Sequence, residues 1–308
     1  MRVPLAFARC CALLLTIGFT ARSRASTSAC ELTSQMAFRS CEFASKASTF
    51  VELGKCDNVA NLAARKICFD QVTAASREGT QRCRDEAAFR EAACDRLDPA
   101  PYDPVIDPAN FVAVVDNPYF PLVPGTTFVY EGQTQEGFNH TEFAVTHDTK
   151  VILGVTCVQI HDTVTLDGVL AEDTLDWFAQ DRQGNVWYFG ENTHELEGGL
   201  ISTVQGTFTA GVNRARPGIV MEAHPVVGDF YRQEFDLENA EDFAEVVSLG
   251  ANVTVPFGSF TNCLDTLETT PLETDLHEHK FYAAGVGQIL TTDADTGDRL
   301  PLVQIRMQ

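Results

Sequence analysis

Six of the ten cysteines fall between Cys30 and Cys94, in a stretch without a single proline and rich in Ala, Arg, Glu and Lys. That composition favours helix. A helical segment this short buries little apolar surface, so covalent ties take over part of the work of a core. Cys30 and Cys41 lie 11 residues apart, as do Cys83 and Cys94, which is about three helical turns and returns each pair to one helix face. With "ELGK" and "SREGT" read as breaks, the segment divides into helices over 28–50, 57–76 and 79–97. Folding the first helix back on the second brings Cys41 to Cys68 and Cys30 to Cys83, and leaves Cys56 for Cys94. This is one of about 15 connectivities open to six cysteines. Such a module serves either as a stabilising N-terminal clip or as a docking site for a protein partner.

The cysteines also indicate a compartment. Arg2 and Arg9 precede the apolar run "CCALLLTIGF", and Ser23-Arg24-Ala25 gives a small-residue exit, so residues 1–25 read as a secretory signal peptide. The run is about half of the ~20 residues a membrane-spanning helix needs, and no transmembrane anchor is expected. Cys30 makes a poor lipidation site, because Thr27 stands where a branched aliphatic residue belongs. Removal of the leader takes Cys10 and Cys11 and leaves an even number of cysteines for an oxidising environment, so the protein is expected to be secreted or periplasmic.

"DPAPYDPVIDP", residues 98–108, holds four prolines and ends the helical pattern. The helical module therefore spans 28–98, a Pro-rich linker 99–108, and a second domain 109–308. Charge changes across the linker as well. Residues 26–100 carry 10 Lys+Arg against 11 Asp+Glu, whereas residues 101–308 carry 8 against 32. A surface so acidic repels phosphate backbones and anionic lipid, which argues against nucleic-acid partners.

Beyond the linker, "TTFVYEG", "VTCVQIHDTVTL", "DTLDWFAQD", "NVWYFGE", "FYRQEFD", "HKFYAA" and "PLVQIRM" alternate as strands do. "DRQGN" and "DADTGD" read as hairpin turns. Three landmarks recur at a near-constant offset. Gly125 and its following strand match Gly228, "CVQIHDT" from Cys157 matches "CLDTLET" from Cys263, and the strand from Asp176 matches that from Lys280. Two units, about 125–190 and 228–292, are therefore expected to be equivalent antiparallel meanders, with residues 191–227 an irregular join. Cys157 and Cys263 hold matching places, and either pair with each other or stay as small buried residues. The fold class is α+β, mainly β: a small disulfide-linked helical N-terminal module followed by a duplicated antiparallel β-meander or half-barrel.

The phrases "NPYFPLVPGTTFVYEG", "VTVPFGSFTNCL" and "KFYAAGVGQIL" resemble those of a family of uncharacterised exported bacterial β-rich proteins, over roughly residues 108–292. Those proteins carry a "YYAPGVG"-like ending, from which Ala284 departs by replacing the proline. The resemblance implies an exported β-rich fold and no activity, cofactor or site residue.

The chemistry on offer is sparse. His277 and His279 share a strand face two residues apart and form a candidate metal pair, with His161 a further ligand; the alternative is a solvent-facing pair at a strand start. Glu172 and Asp176 share a face beside Trp177 and form a candidate carboxylate pair for glycoside chemistry; the alternative is a solvated strand face. GxSxG, P-loop and dinucleotide fingerprints are missing. These features favour an exported binding protein with a site between the two β units, lined by aromatic residues, for an apolar or lipid-like small ligand. A metal-dependent or carboxylate-based hydrolase and a structural or interaction module are the alternatives.

Overall fold

The computed structural model describes residues 27–307, so the leader expected over 1–25 lies outside the described residues. Two helices open the chain, α1 (Ala29–Asp57) and α2 (Leu62–Cys94). Ser28 and Glu31 form a reciprocal capping box at the start of α1, and the Asn61 side chain caps α2 by accepting from the Ala64 amide. The three-helix expectation fails because neither glycine breaks its helix. α1 runs through Gly54, and α2 runs through Gly79, where a Cβ would sit 2.6 Å from Ser45 Oγ. Gly79 permits close helix–helix contact.

Two antiparallel helices allow a different disulfide set from three. The bonds are Cys30–Cys94, Cys41–Cys83 and Cys56–Cys68, in place of Cys30–Cys83, Cys41–Cys68 and Cys56–Cys94. They form three rungs of one ladder, closing from the turn outward. Cys157 and Cys263 are free and buried, not bonded to each other. Their strands are not neighbours in the sheet, and they pack in separate clusters.

The remainder is a single antiparallel sheet. Its strands are β1 (Phe111–Val112), β2 (Thr126–Gln133), β3 (Phe138–Ile152), β4 (Val155–Leu166), β5 (Val169–Asp181) and β6 (Val186–Glu197). There follow β7 (Leu200–Thr203), β8 (Phe208–Thr209), β9 (Arg216–Met221), β10 (Phe230–Arg232) and β11 (Glu234–Phe235). The last five are β12 (Phe243–Val255), β13 (Gly258–Thr269), β14 (His277–Ala283), β15 (Gly287–Asp293) and β16 (Arg299–Met307). The lateral order is β10-β12-β13-β14-β15-β16-β2-β3-β4-β5-β6-β9-β11. The C-terminal strand thus pairs with β2 and joins the two halves. The sheet is nearly closed, because its two ends belong to one short segment: Phe230–Arg232 pairs with β12, and Glu234–Phe235 pairs with β9. At this seam Gly218 is obligatory, since a Cβ there would lie 2.4 Å from the Arg232 and Gln233 carbonyl oxygens.

The series β2-β3-β4-β5-β6 and β10-β12-β13-β14-β15 run in the same order. Equivalent turns precede each: the Gly125 amide donates to Val145 O at 2.8 Å, and the Gly228 amide to Val246 O at 2.9 Å. Residues 191–227 are more regular than expected, since they complete β6 and add β7, β8 and β9. The phrases behind the family resemblance meet at one end of the barrel. There the Gly285 amide donates to Pro118 O at 2.7 Å, and Phe120 and Leu122 enter the main core.

The helical hairpin docks at the seam. Arg90 makes a forked contact with Glu241, Nη2 to Oε1 at 2.7 Å and Nε to Oε2 at 3.2 Å, with both side chains almost fully buried. Arg96 reaches Glu245 at 2.6 Å and lies over the Phe230 ring. Phe89 packs on Phe243. Arg90→Ala leaves a buried carboxylate unpaired and is expected to cost about 3–5 kcal/mol in chemical denaturation. Arg96→Ala breaks a partly exposed pair and should cost no more than about 1 kcal/mol. Equal losses in the two variants would show that Arg90 does not anchor the hairpin.

Candidate functional site

Alternation along the barrel strands gives each an inner and an outer face. The outer face of β4–β6 is dry: Ile152, Val155, Cys157, Trp177, Ala179 and Phe189 form a second core beneath Ile106 and Phe111, delivered by the Pro-rich segment. The inner face encloses a cavity of about 710 Å³. Its floor is aromatic. Phe120 enters from the 117–122 loop and meets Phe178 edge-on at 5.3 Å and Phe143 at 6.3 Å, while Phe178 stacks on Tyr188 at 4.6 Å. The opposite end carries the exposed lining residues Glu195, Gln205 and Glu273 and forms the mouth.

Between floor and mouth the wall is acidic. Ten carboxylates line the cavity against one lysine, with no arginine or histidine. Lys280 on β14 serves its own side, reaching Glu268 at 2.7 Å and Glu278 at 3.7 Å. Glu268 also accepts from the Tyr282 hydroxyl at 3.2 Å. The wall formed by β4, β5 and β6 has no such cation. There Asp176 and Glu191 stand directly across the strand pair. Both contact the Tyr188 hydroxyl, at 2.5 and 2.8 Å. A phenol carries one proton, so the trio is satisfied only if one carboxyl is protonated and donates to the phenol oxygen. Next to them Asp162 Oδ1 is buried without a hydrogen-bond partner.

Burial and mutual repulsion raise these acids. Asp162 is pushed up to about 7, by burial first and then by the Glu172 charge. Asp176 is pushed up to about 8, by burial and then Asp162. Glu191 is pushed up to about 8, by burial and then Asp176. Glu234 is also held well above the carboxylate range and Asp242 rises to about 6, burial leading in both.

The candidates named from sequence fall on both faces. Glu172 and Asp176 line the cavity. Trp177, expected as their platform, points the opposite way into the outer core, where Lys150 Nζ lies 3.2 Å from its ring centroid. His161, His277 and His279 do not converge. His161 bonds Asp173 at 2.7 Å, His277 bonds Asp295 at 2.7 Å, and His279 bonds Asp265 at 2.8 Å. The last two lie on β14, whose alternate residues Glu278, Lys280 and Tyr282 are the ones that line the cavity. Among the described residues no three His, Cys, Asp or Glu side chains are arranged to hold a metal ion. The expected aromatic lining is therefore only the lower part of the site. Sequence reasoning missed Asp162, Glu191 and Lys280. One signal was present: Asp162 shares its parity on β4 with the core residues Val158 and Ile160, so a charge interrupts an apolar stripe.

No family model matches the chain, and no curated protein matches it. Among solved structures it is similar to one described as a "putative lipoprotein" from Parabacteroides distasonis ATCC 8503. The two are 11% identical, with a TM-score of 0.34, over 61% of this chain and 98% of that one.

The raised acids have a consequence for stability. A carboxyl whose folded pKa exceeds its unfolded value stabilises the fold below about pH 4, and that contribution is lost as pH rises through the folded value. For Asp162 and Asp176 the loss extends to about 7 and about 8. The melting temperature is expected to fall between pH 5.5 and 9. Asp176→Asn keeps an acceptor for Tyr188 and should flatten that slope, raising the pH 9 melting point at roughly 2–4 °C per kcal/mol recovered. Parallel slopes for the two proteins would mean that Asp176 ionises as freely in the fold as in water.

Proposed function

We propose that this chain is an exported, non-enzymatic binding protein, of the kind its "YFPL" and "GVG" phrases resemble, and that its barrel interior holds one small molecule. The observation that carries this reading is the cavity of about 710 Å³ inside a nearly closed barrel. That volume lies within the ~300–1,000 Å³ usual for ligand pockets, and an apolar floor with polar groups placed above it is the usual lining. Export is supported by the three disulfides and the leader-like N-terminus.

The ligand is amphipathic. A wholly lipid-like molecule would strip water from the carboxylates and return no hydrogen bond. A molecule with an apolar end on Phe120, Phe143 and Phe178 and a polar end among the acids suits both zones. The hydrolase alternative drew on a metal set from His161, His277 and His279, which do not converge, and on the carboxylates Glu172 and Asp176, which do line the cavity but without Trp177 as their platform.

Titration with the neutral fluorophore N-phenyl-1-naphthylamine tests the reading. Saturable binding of one probe per chain is expected. Val164→Trp, which places bulk in the upper cavity, should abolish it while the melting temperature is retained. Unchanged binding in that variant would place the probe elsewhere and defeat the proposal.

A further inference from the structure

We infer that the polar end of the ligand is a primary ammonium group, received by Asp162, Asp176 and Glu191 on the β4–β6 wall. This rests on the barrel interior being a binding cavity and names the class of molecule it takes.

The wall is unevenly neutralised. Lys280 pairs with Glu268 and Glu278 on β13 and β14, so that side holds a cation of its own. The facing side is one cation short. Tyr188 offers one proton to two acids, and Asp162 Oδ1 is buried with no donor at all. A buried acceptor without a partner is costly, and more so when charged, so such a group persists where an incoming donor satisfies it. Two acceptors are left without a donor, Asp162 Oδ1 and whichever of Asp176 and Glu191 the Tyr188 proton does not serve, and a primary ammonium carries N–H donors for both. A quaternary ammonium brings charge without donors and leaves the orphan acceptor unmet.

The surroundings agree. The stacked pair Phe178 and Tyr188 lies beneath the acids and gives the apolar body of the ligand an aromatic surface beside them. Exposed Glu195 and Glu273 at the mouth, on a domain with 32 acidic and 8 basic residues, draw cations toward it.

Binding is linked to protons. Asp176 and Glu191 are pushed up to about 8 and Asp162 to about 7, so near neutral pH they hold protons that an arriving cation expels. The other groups facing them are Glu172 on β5, Glu234 and Asp242 at the seam, and the Glu268–Lys280–Glu278 set across the cavity. Glu172 adds negative charge, and Glu234 and Asp242 add theirs as they ionise, which reinforces the same direction. Affinity for an alkylammonium therefore rises from pH 6 to pH 9, the amine itself staying charged with a pKa near ~10, as for lysine.

The test uses the full mature chain and three probes with one body: 4-phenylbutylammonium, trimethyl-(4-phenylbutyl)ammonium and 4-phenylbutanol, each competing with N-phenyl-1-naphthylamine. At pH 8.5 the primary amine is expected to bind at least tenfold more tightly than the other two. That advantage should shrink at pH 6 and in Asp162→Asn and, separately, Glu191→Gln. Binding of the alcohol should change little in either variant, which reports that the cavity is intact. Calorimetry in two buffers of different ionisation enthalpy should show proton release for the amine alone. If all three probes compete equally, the cavity binds ligands but the ammonium inference is wrong. If the amine binds as tightly in both variants as in the parent chain, it occupies the outer acidic surface and the inference is wrong. If neither the fluorophore nor any competitor binds, the cavity reading fails and takes this inference with it.

Discussion

Closure of the sheet at Phe230–Phe235 is the constraint on which the rest of the molecule depends. An open sheet of this width would present two rows of unpaired amides and carbonyls, a standing invitation to edge-to-edge association. Here six residues serve both edges, with β10 on β12 and β11 on β9. So short a seam carries few ladder hydrogen bonds, and it is reinforced from outside. Arg232, in the middle of it, lies over the rings of Phe235 and Phe243, and its guanidinium sits 3.7 Å from the Cys30 sulfur. Arg90 binds Glu241 just before β12 begins, and Arg96 covers Phe230. The Cys30–Cys94 bond fixes the end of the helical hairpin that makes these contacts. In physical terms the hairpin is a covalently stiffened clasp on the barrel's weakest joint, which gives its disulfides a role beyond holding two helices together.

A closed barrel changes what an alternating strand means. On an open sheet with one wet side, the polar residues of β5 would face bulk water. Here Glu172 and Asp176 face a cavity, while Leu175 and Trp177 face an outer layer covered by the strap around Phe111. Two hydrophobic systems result, a main core toward the barrel floor and a thinner one outside. The carboxylates lie between the floor and the mouth, where water is scarce enough to raise their pKa values and the field of each acid is felt by the next.

How much of this was legible can be traced residue by residue. The helical start, the alternating strands and the hairpin tips at 182–185 and 293–298 all follow from local pattern, because turns and periodicity are local physics. The disulfides were legible and misread. In an antiparallel hairpin, paired positions have a constant sum, and 30 with 94, 41 with 83 and 56 with 68 each give 124. Treating Gly79 as a helix break concealed that symmetry, since a glycine in sequence does not disclose whether it ends a helix or admits a neighbour. The inner face of β14 was also legible, in that Glu278, Lys280 and Tyr282 share a side. What alternation cannot state is that the inside is hollow. That depends on the barrel's girth and on Phe120 filling only the floor, both properties of the closed sheet.

The cavity also shows why a charged wall survives inside a fold that pays for it. Replacing Asp162, Asp176 and Glu191 by residues of similar shape without charge would remove repulsion and desolvation together, and barrels fill readily with aliphatic side chains. Stability alone gives no reason to keep them. The lysine sharpens the point. Lys280 offsets part of the charge on its own side, with Glu268 and Glu278 both within reach, so the fold is able to place a cation inside the barrel. On the β4–β6 wall it places Tyr188 instead, a group with one proton for two acids. The β4–β6 wall is left short of donors, above an aromatic floor and below an acidic mouth, and the ammonium inferred above would supply them.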